Sequence, residues 1–126
     1  MSMVIDLHAH VVLEESFGAA GKYGPELSSD PKLQEFRVGD YAIRVPYKDS
    51  VFMDAQKRVD AMDSLGIDLQ LLSPNPLSFF GHIETEEALR FARASNDAMT
   101  KHIGPFPDLS LIHISEPTRP LYISYA

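Results

Sequence analysis

Ile5-Asp6-Leu7-His8-Ala9-His10 carries two histidines two residues apart, behind a short apolar run close to the N-terminus. In a β-strand, residues i and i+2 point to the same face. His8 and His10 therefore aim their imidazoles in one direction, as two ligands of one metal ion must. Imidazole suits zinc, iron, nickel or copper, and a catalytic site usually needs three or more protein ligands. The pair reads as the first part of a metal site. Asp6 lies on the same face one step earlier. Its plainer roles are to orient a neighbouring histidine from behind or to cap a backbone group. On an arbitrary strand such a histidine pair is more often ordinary surface or core, and its place on an N-terminal strand favours the metal reading.

Working outward, Met3 to His8 reads as a buried strand. Val11 to about Gln34 has no clear period and contains Gly18, Gly21, Gly24, Pro25 and Pro31. Aperiodic segments of this length inside compact domains are usually functional or disordered. Residues 36–38 and 41–45 alternate around Gly39-Asp40, which predicts a small hairpin. A helix is expected over about Met53 to Leu65, with Phe52, Ala55, Val59 and Met62 on its apolar face. Asp54, Lys57, Arg58, Asp60 and Asp63 are expected mostly away from that face. Gly66 sits where a helix end wants positive φ. Ile67 to Leu72 predicts a second strand, closed by Ser73-Pro74-Asn75-Pro76. A second helix is expected over about Thr85 to Ile103, with Thr85 as N-cap and Glu86 and Glu87 in the first turn. Its stripe is Leu89, Ala92, Met99 and Ile103, and Gly104-Pro105 stops it. Strand, insertion, helix, strand, helix is a β/α alternation, which implies a parallel sheet with helices outside.

The bulk numbers narrow the function classes. At 126 residues the chain is long enough for one domain with a core. A net charge of -7 argues against a general nucleic-acid binder. No apolar run approaches the roughly 20 residues that span a bilayer, and no signal peptide starts the chain. No membrane partner is expected, and the cytoplasm is the default compartment. With no cysteine, any metal must be held by His, Asp or Glu.

The C-terminal stretch Leu109-Ser110-Leu111-Ile112-His113-Ile114-Ser115-Glu116-Pro117-Thr118-Arg119 resembles translated read-through of a transposase-type sequencing adapter. Pro120-Leu121-Tyr122 falls where an index barcode would sit, and Ile123-Ser124-Tyr125-Ala126 matches the constant sequence beyond it. The expected organisation is therefore residues 1–108 as natural protein and 109–126 as a non-natural tail, with His113 discounted as a ligand. The alternation of Ser110–Ile114 is still compatible with a strand, because period 2 is all that a strand needs.

Residues 1–108 resemble the N-terminus of the amidohydrolase superfamily. More narrowly they are similar to the amidohydrolase-related group that includes 2-amino-3-carboxymuconate-6-semialdehyde decarboxylase and γ-resorcylate decarboxylase. The matching pieces are Ile5–His10, the run from Arg58 to Asp68, the Asn96-Asp97 pair and the long insertion before the first helix. The resemblance implies an α/β fold: a TIM-type (β/α)8 barrel of which about two β/α units are present, with the site at the C-terminal strand ends. It implies that His8 and His10 help hold one divalent ion, zinc first and manganese second, with further ligands beyond Asp108. No catalytic acid or base is identifiable within the fragment. His82 and His102 match no family motif.

The function implied first is a carboxy-lyase acting on a small unsaturated or aromatic carboxylic acid, and second a hydrolase of the same superfamily. Arg44 is the candidate to pair a substrate carboxylate, against ordinary hairpin solvation. His82 either faces the site or is a plain loop histidine. His102 reads as a helix C-terminal residue interacting with the dipole. Phe79 and Phe80 either line a pocket or pack on the rim. The parent enzyme is expected as a homodimer, and the 126-residue chain as poorly folded or aggregation-prone and inactive. A phosphoesterase with an HxH first strand and a small non-enzymatic metal-binding or interaction domain are the competing classes.

Overall fold

The computed structural model describes residues 2–111, with side chains through residue 109. His113 and the strand expected to continue to Ile114 lie outside the described residues. Two sheets and two α-helices make a mixed α/β fold.

The opening apolar run forms β1, Ile5–Val11, which starts later than expected and continues past both histidines. The pairing itself begins at Val4, whose carbonyl accepts from the Asp68 and Leu69 N–H groups. The next parallel strand is β5, Leu69–Pro74. It is displaced toward the C-terminus from the expected Ile67–Leu72, because its partner runs on to Val11 opposite Pro74. Leu109–Leu111 forms β6, parallel to β5, and the sheet order is β1-β5-β6. Successive parallel strands thus add on one side, each preceded by a helical crossover. Among the described residues the sheet is open and closes no barrel.

The aperiodic insertion is ordered. Two 3-10 turns, Glu14–Ser16 and Gly21–Tyr23, lead into the short strand β2, Glu26–Leu27. It pairs antiparallel with β3, Glu35–Val38, which pairs with β4, Tyr41–Arg44. The hairpin turn falls at Gly39-Asp40. Gly39, at φ 58, takes the first central position, where a II′ turn requires glycine. Phe36 and Val38 point from β3 into a core with Val12, Ala20, Tyr47, Phe80, Ala88 and Phe91. Edge-to-face aromatic contacts within this core pair Phe36 with Tyr47 and Phe80 with Phe91, and the shared cluster joins the insertion to the second helix.

Helix α1, Ala55–Leu65, is capped by Asp54, whose carboxylate accepts the Lys57 N–H at 2.9 Å. Gly66 ends it at φ 69, as its position predicts. Its buried residues are Ala55, Arg58 and Met62, so Arg58 faces inward instead of outward. Ala55, Met62, Leu72, Ala9 and Leu109 form the core between this helix and the parallel sheet. Helix α2, Thr85–Ile103, has Glu84 as its N-cap and no side-chain cap bond, so Thr85 is its first helical residue and not its cap. Its buried face is Ala88, Phe91, Ala92, Ser95, Ala98 and Met99. That stripe is broader than the expected one, because the insertion and the parallel sheet both lean on this helix. No helix is long and apolar enough to cross a membrane among the described residues.

Candidate metal centre

The two histidines converge. His8 Nε2 and His10 Nε2 stand 3.0 Å apart, with the ring centroids at 4.8 Å. Two nitrogens each about 2.0–2.1 Å from one tetrahedral zinc would lie roughly 3.3 Å apart. The pair therefore fits a shared ion with a shift of a few tenths of an ångström. Without an ion, the same contact serves as one N–H···N hydrogen bond.

The ring of His10 is fixed from behind. Its Nδ1 lies 3.2 Å from the Pro74 carbonyl and 3.0 Å from Ser73 Oγ. A carbonyl only accepts, so the proton of a neutral His10 ring sits on Nδ1 and leaves Nε2 with its lone pair free. This is the arrangement that metal-binding imidazoles use. Pro74 and Ser73 can serve because β5 continues beyond the point where the sequence predicts its end.

His8 is aimed by a break in the ladder. Asp6 pairs with Gln70 but Ala9 pairs with Leu72, so β1 carries one extra residue in this interval. Such a bulge re-aims side chains and leaves a backbone group to be satisfied. The His8 N–H donates to Asp6 Oδ1 at 3.0 Å. Asp6 is therefore a backbone cap in this fold. That hydrogen bond, and the Gln70 amide after it, hold the Asp6 carboxyl below the usual carboxylate range, against a smaller desolvation effect.

Behind the pair lie two polar residues, Gln70, to which the sequence assigned no role, and Arg58, which it placed away from the buried face. Gln70 is buried and donates through Nε2 to Asp6 Oδ2 at 2.8 Å. Arg58 is only 5% exposed. Its Nη1 donates to Gln70 Oε1 at 2.8 Å and its Nη2 to the His10 carbonyl at 2.6 Å. Burial lowers the Arg58 pKa and the Asp6 charge opposes that shift; the guanidinium stays charged at neutral pH. The signal for both was available. Arg58 lies three after Ala55 and four before Met62, on the buried face, and Gln70 interrupts an apolar strand.

The other candidate residues lie apart from the pair. Arg44 ends β4, opposite Glu35, and is exposed. No side-chain hydrogen bond or ion pair joins it to His8 or His10 among the described residues. His82 is exposed and shares a cavity of about 780 Å³ with Lys22, Tyr23, Arg37, Tyr41 and Phe80. Neither His8 nor His10 lines that cavity. Phe80 packs in the core, whereas Phe79 is exposed. No group of three or more His, Asp or Glu side chains converges among the described residues.

His102 departs from the dipole-capping expectation. It is half-buried, and its Nε2 is buried without a hydrogen-bond partner among the described residues. Burial lowers its pKa, with the Arg58 cation acting in the same direction and Glu15 and Asp54 opposing. The neutral ring is favoured, the opposite of a cationic cap. A histidine pKa depressed by folding contributes stability above the unfolded value of about 6.5, and that stability is lost as pH falls through the folded value. His102→Gln is therefore expected to shrink the drop in Tm between about pH 7 and about pH 5. An unchanged drop in paired thermal melts would contradict this.

Compared with known proteins, the chain matches no family model and no curated protein.

Proposed function

We propose that residues 1–108 are the N-terminal part of a metal-dependent enzyme of the amidohydrolase type, built on a (β/α)8 barrel. His8 and His10 supply the first two ligands of a divalent ion, zinc or manganese. The observation that carries this reading is the 3.0 Å convergence of two Nε2 atoms at the C-terminal half of the first parallel strand. The tautomer imposed on His10 and the one-directional strand order β1-β5-β6 agree with it. Residues 109–126 are taken as adapter-derived. Strand β6, which begins at Leu109, then forms because an alternating apolar segment can extend any open parallel edge.

In this reading the parent enzyme is a carboxy-lyase for small unsaturated or aromatic carboxylic acids. When bound, the ion supplies Lewis-acid polarisation of a substrate oxygen. His8 and His10 hold their lone pairs on one point. Pro74 and Ser73 keep the His10 proton on the far side of the ring. Proton transfer to the substrate requires groups additional to those on β1 and β5.

Two measurements test the proposal. Zinc titration of the 126-residue chain is expected to show weak binding that falls at least about tenfold in His8→Ala and in His10→Ala. Binding that is indifferent to both substitutions would overturn the ligand assignment. Recovering the gene beyond Asp108 from longer reads is expected to supply a further histidine and an aspartate at strand ends. A frame without them would overturn the barrel reading.

A further inference from the structure

The structure assigns Arg58 as the positioning residue of the His8–His10 pair, working through Gln70 and Asp6 and touching no ligand atom itself. This inference deepens the metal reading and rests on it for its zinc readout. Four hydrogen bonds form one continuous brace. Arg58 Nη2 holds the His10 carbonyl, and Arg58 Nη1 holds Gln70 Oε1. Gln70 Nε2 holds Asp6 Oδ2, and Asp6 Oδ1 accepts the His8 N–H. The brace therefore grips the backbone of both histidines. One grip, on the His8 N–H, falls inside the interval where β1 carries its extra residue, and the other, on the His10 carbonyl, lies just beyond it.

The geometry explains why a buried cation is kept here. A bulged strand has lost a ladder bond, so its backbone between Asp6 and Ala9 can shift and change the aim of His8 relative to His10. The planar guanidinium can reach two acceptors at a fixed angle, which an ammonium cannot. Its position on α1 transfers the rigidity of a packed helix to the site. Stability alone would be met by an apolar contact at this position; holding two imidazoles within a few tenths of an ångström requires directional bonds.

An amide–carboxylate exchange separates positioning from bulk stability. Asp6→Asn alone leaves two amide NH2 groups facing each other, or turns one toward the guanidinium. Gln70→Glu alone sets two carboxylates face to face. The double exchange Asp6→Asn/Gln70→Glu rebuilds every bond. The introduced amide oxygen accepts the His8 N–H, its NH2 donates to the introduced carboxylate, and that carboxylate accepts from Arg58. Zinc affinity of the 126-residue chain, measured at low micromolar protein, is expected to fall about 10- to 100-fold in each single variant. It is expected to return to near the starting value in the double exchange. Equal affinity in all four chains, or a double exchange no better than the singles, would overturn the assignment.

A metal-free readout keeps the brace testable if the chain binds no zinc, the result that would sink the metal reading instead. The nuclear Overhauser contact between the His8 and His10 rings is expected in the original chain and in the double exchange, and lost in each single variant. Ring contact that persists in the single variants overturns the positioning role, whatever zinc does.

Discussion

Arg58→Ala is expected to destabilise the chain by about 3 kcal/mol or more, a large part of the stability of a small domain. Truncation leaves Gln70 Oε1 buried and the His10 carbonyl partly buried, each without the Arg58 donor. Each such group costs about 1–3 kcal/mol, and the space left behind the side chain adds to it. The loss should appear as a lower urea midpoint with an unchanged slope. Arg58→Met/Gln70→Leu removes both partners of one buried bond and fills the space with apolar groups. It is expected to recover part of the lost stability, because the Gln70 oxygen is no longer left without a donor, while the His10 carbonyl and Asp6 Oδ2 still lose theirs. The same variant should not restore the ring contact between His8 and His10. A midpoint for Arg58→Ala equal to that of the original chain would show that the buried guanidinium is not a structural strut.

The 126-residue chain is expected to self-associate at protein concentrations on the order of 100 μM. Strand β1 pairs with β5 on one side only, and its other edge is open among the described residues. Along this strand and its lead-in, Met3 and Leu7 are each 67% exposed, Val4 48% and Ile5 45%. An edge with unpaired backbone groups and apolar side chains is a template for another strand, and natural edges are usually blunted by charge. Ile5→Lys/Leu7→Lys supplies that charge. It is expected to give a monomer under conditions where the original chain forms larger species in sedimentation or light-scattering measurements. Neither substitution touches the brace or a histidine. A monomeric original chain at the higher concentration would contradict the expectation, as would equal association of the two chains.

How much was legible in advance depended on range. The start of α1 was not legible: Asp54 lies outside the helix and caps it through the Lys57 N–H, where the helix was expected from about Met53. Its C-terminal end was, because the Gly66 position predicted its φ from local sequence. The hairpin at Gly39-Asp40 was legible for the same reason. The insertion from Val11 to Gln34 was not. Its order comes from Val12 and Ala20 sharing one core with Phe36, Phe80 and Phe91, most of them far along the chain, and no local period announces such packing. Arg58 was misplaced because charge was weighed above spacing: its helical position put it inward, and burial was tolerable only because Gln70 and the His10 carbonyl receive it. His102 was misread for a related reason, since a helix end can lie against another element and be dried by it.

The sequence by itself determined the β/α alternation, the stop at Gly66 and the fact that His8 and His10 leave one strand in one direction. Those are consequences of backbone period, which every residue carries locally. Only the tertiary structure decided that the two Nε2 atoms meet at 3.0 Å, that the His10 proton is drawn to Pro74, and that a guanidinium braces both backbones. Each of these depends on bonds between residues on different elements, and such bonds exist only once helix α1 and strands β1 and β5 have packed.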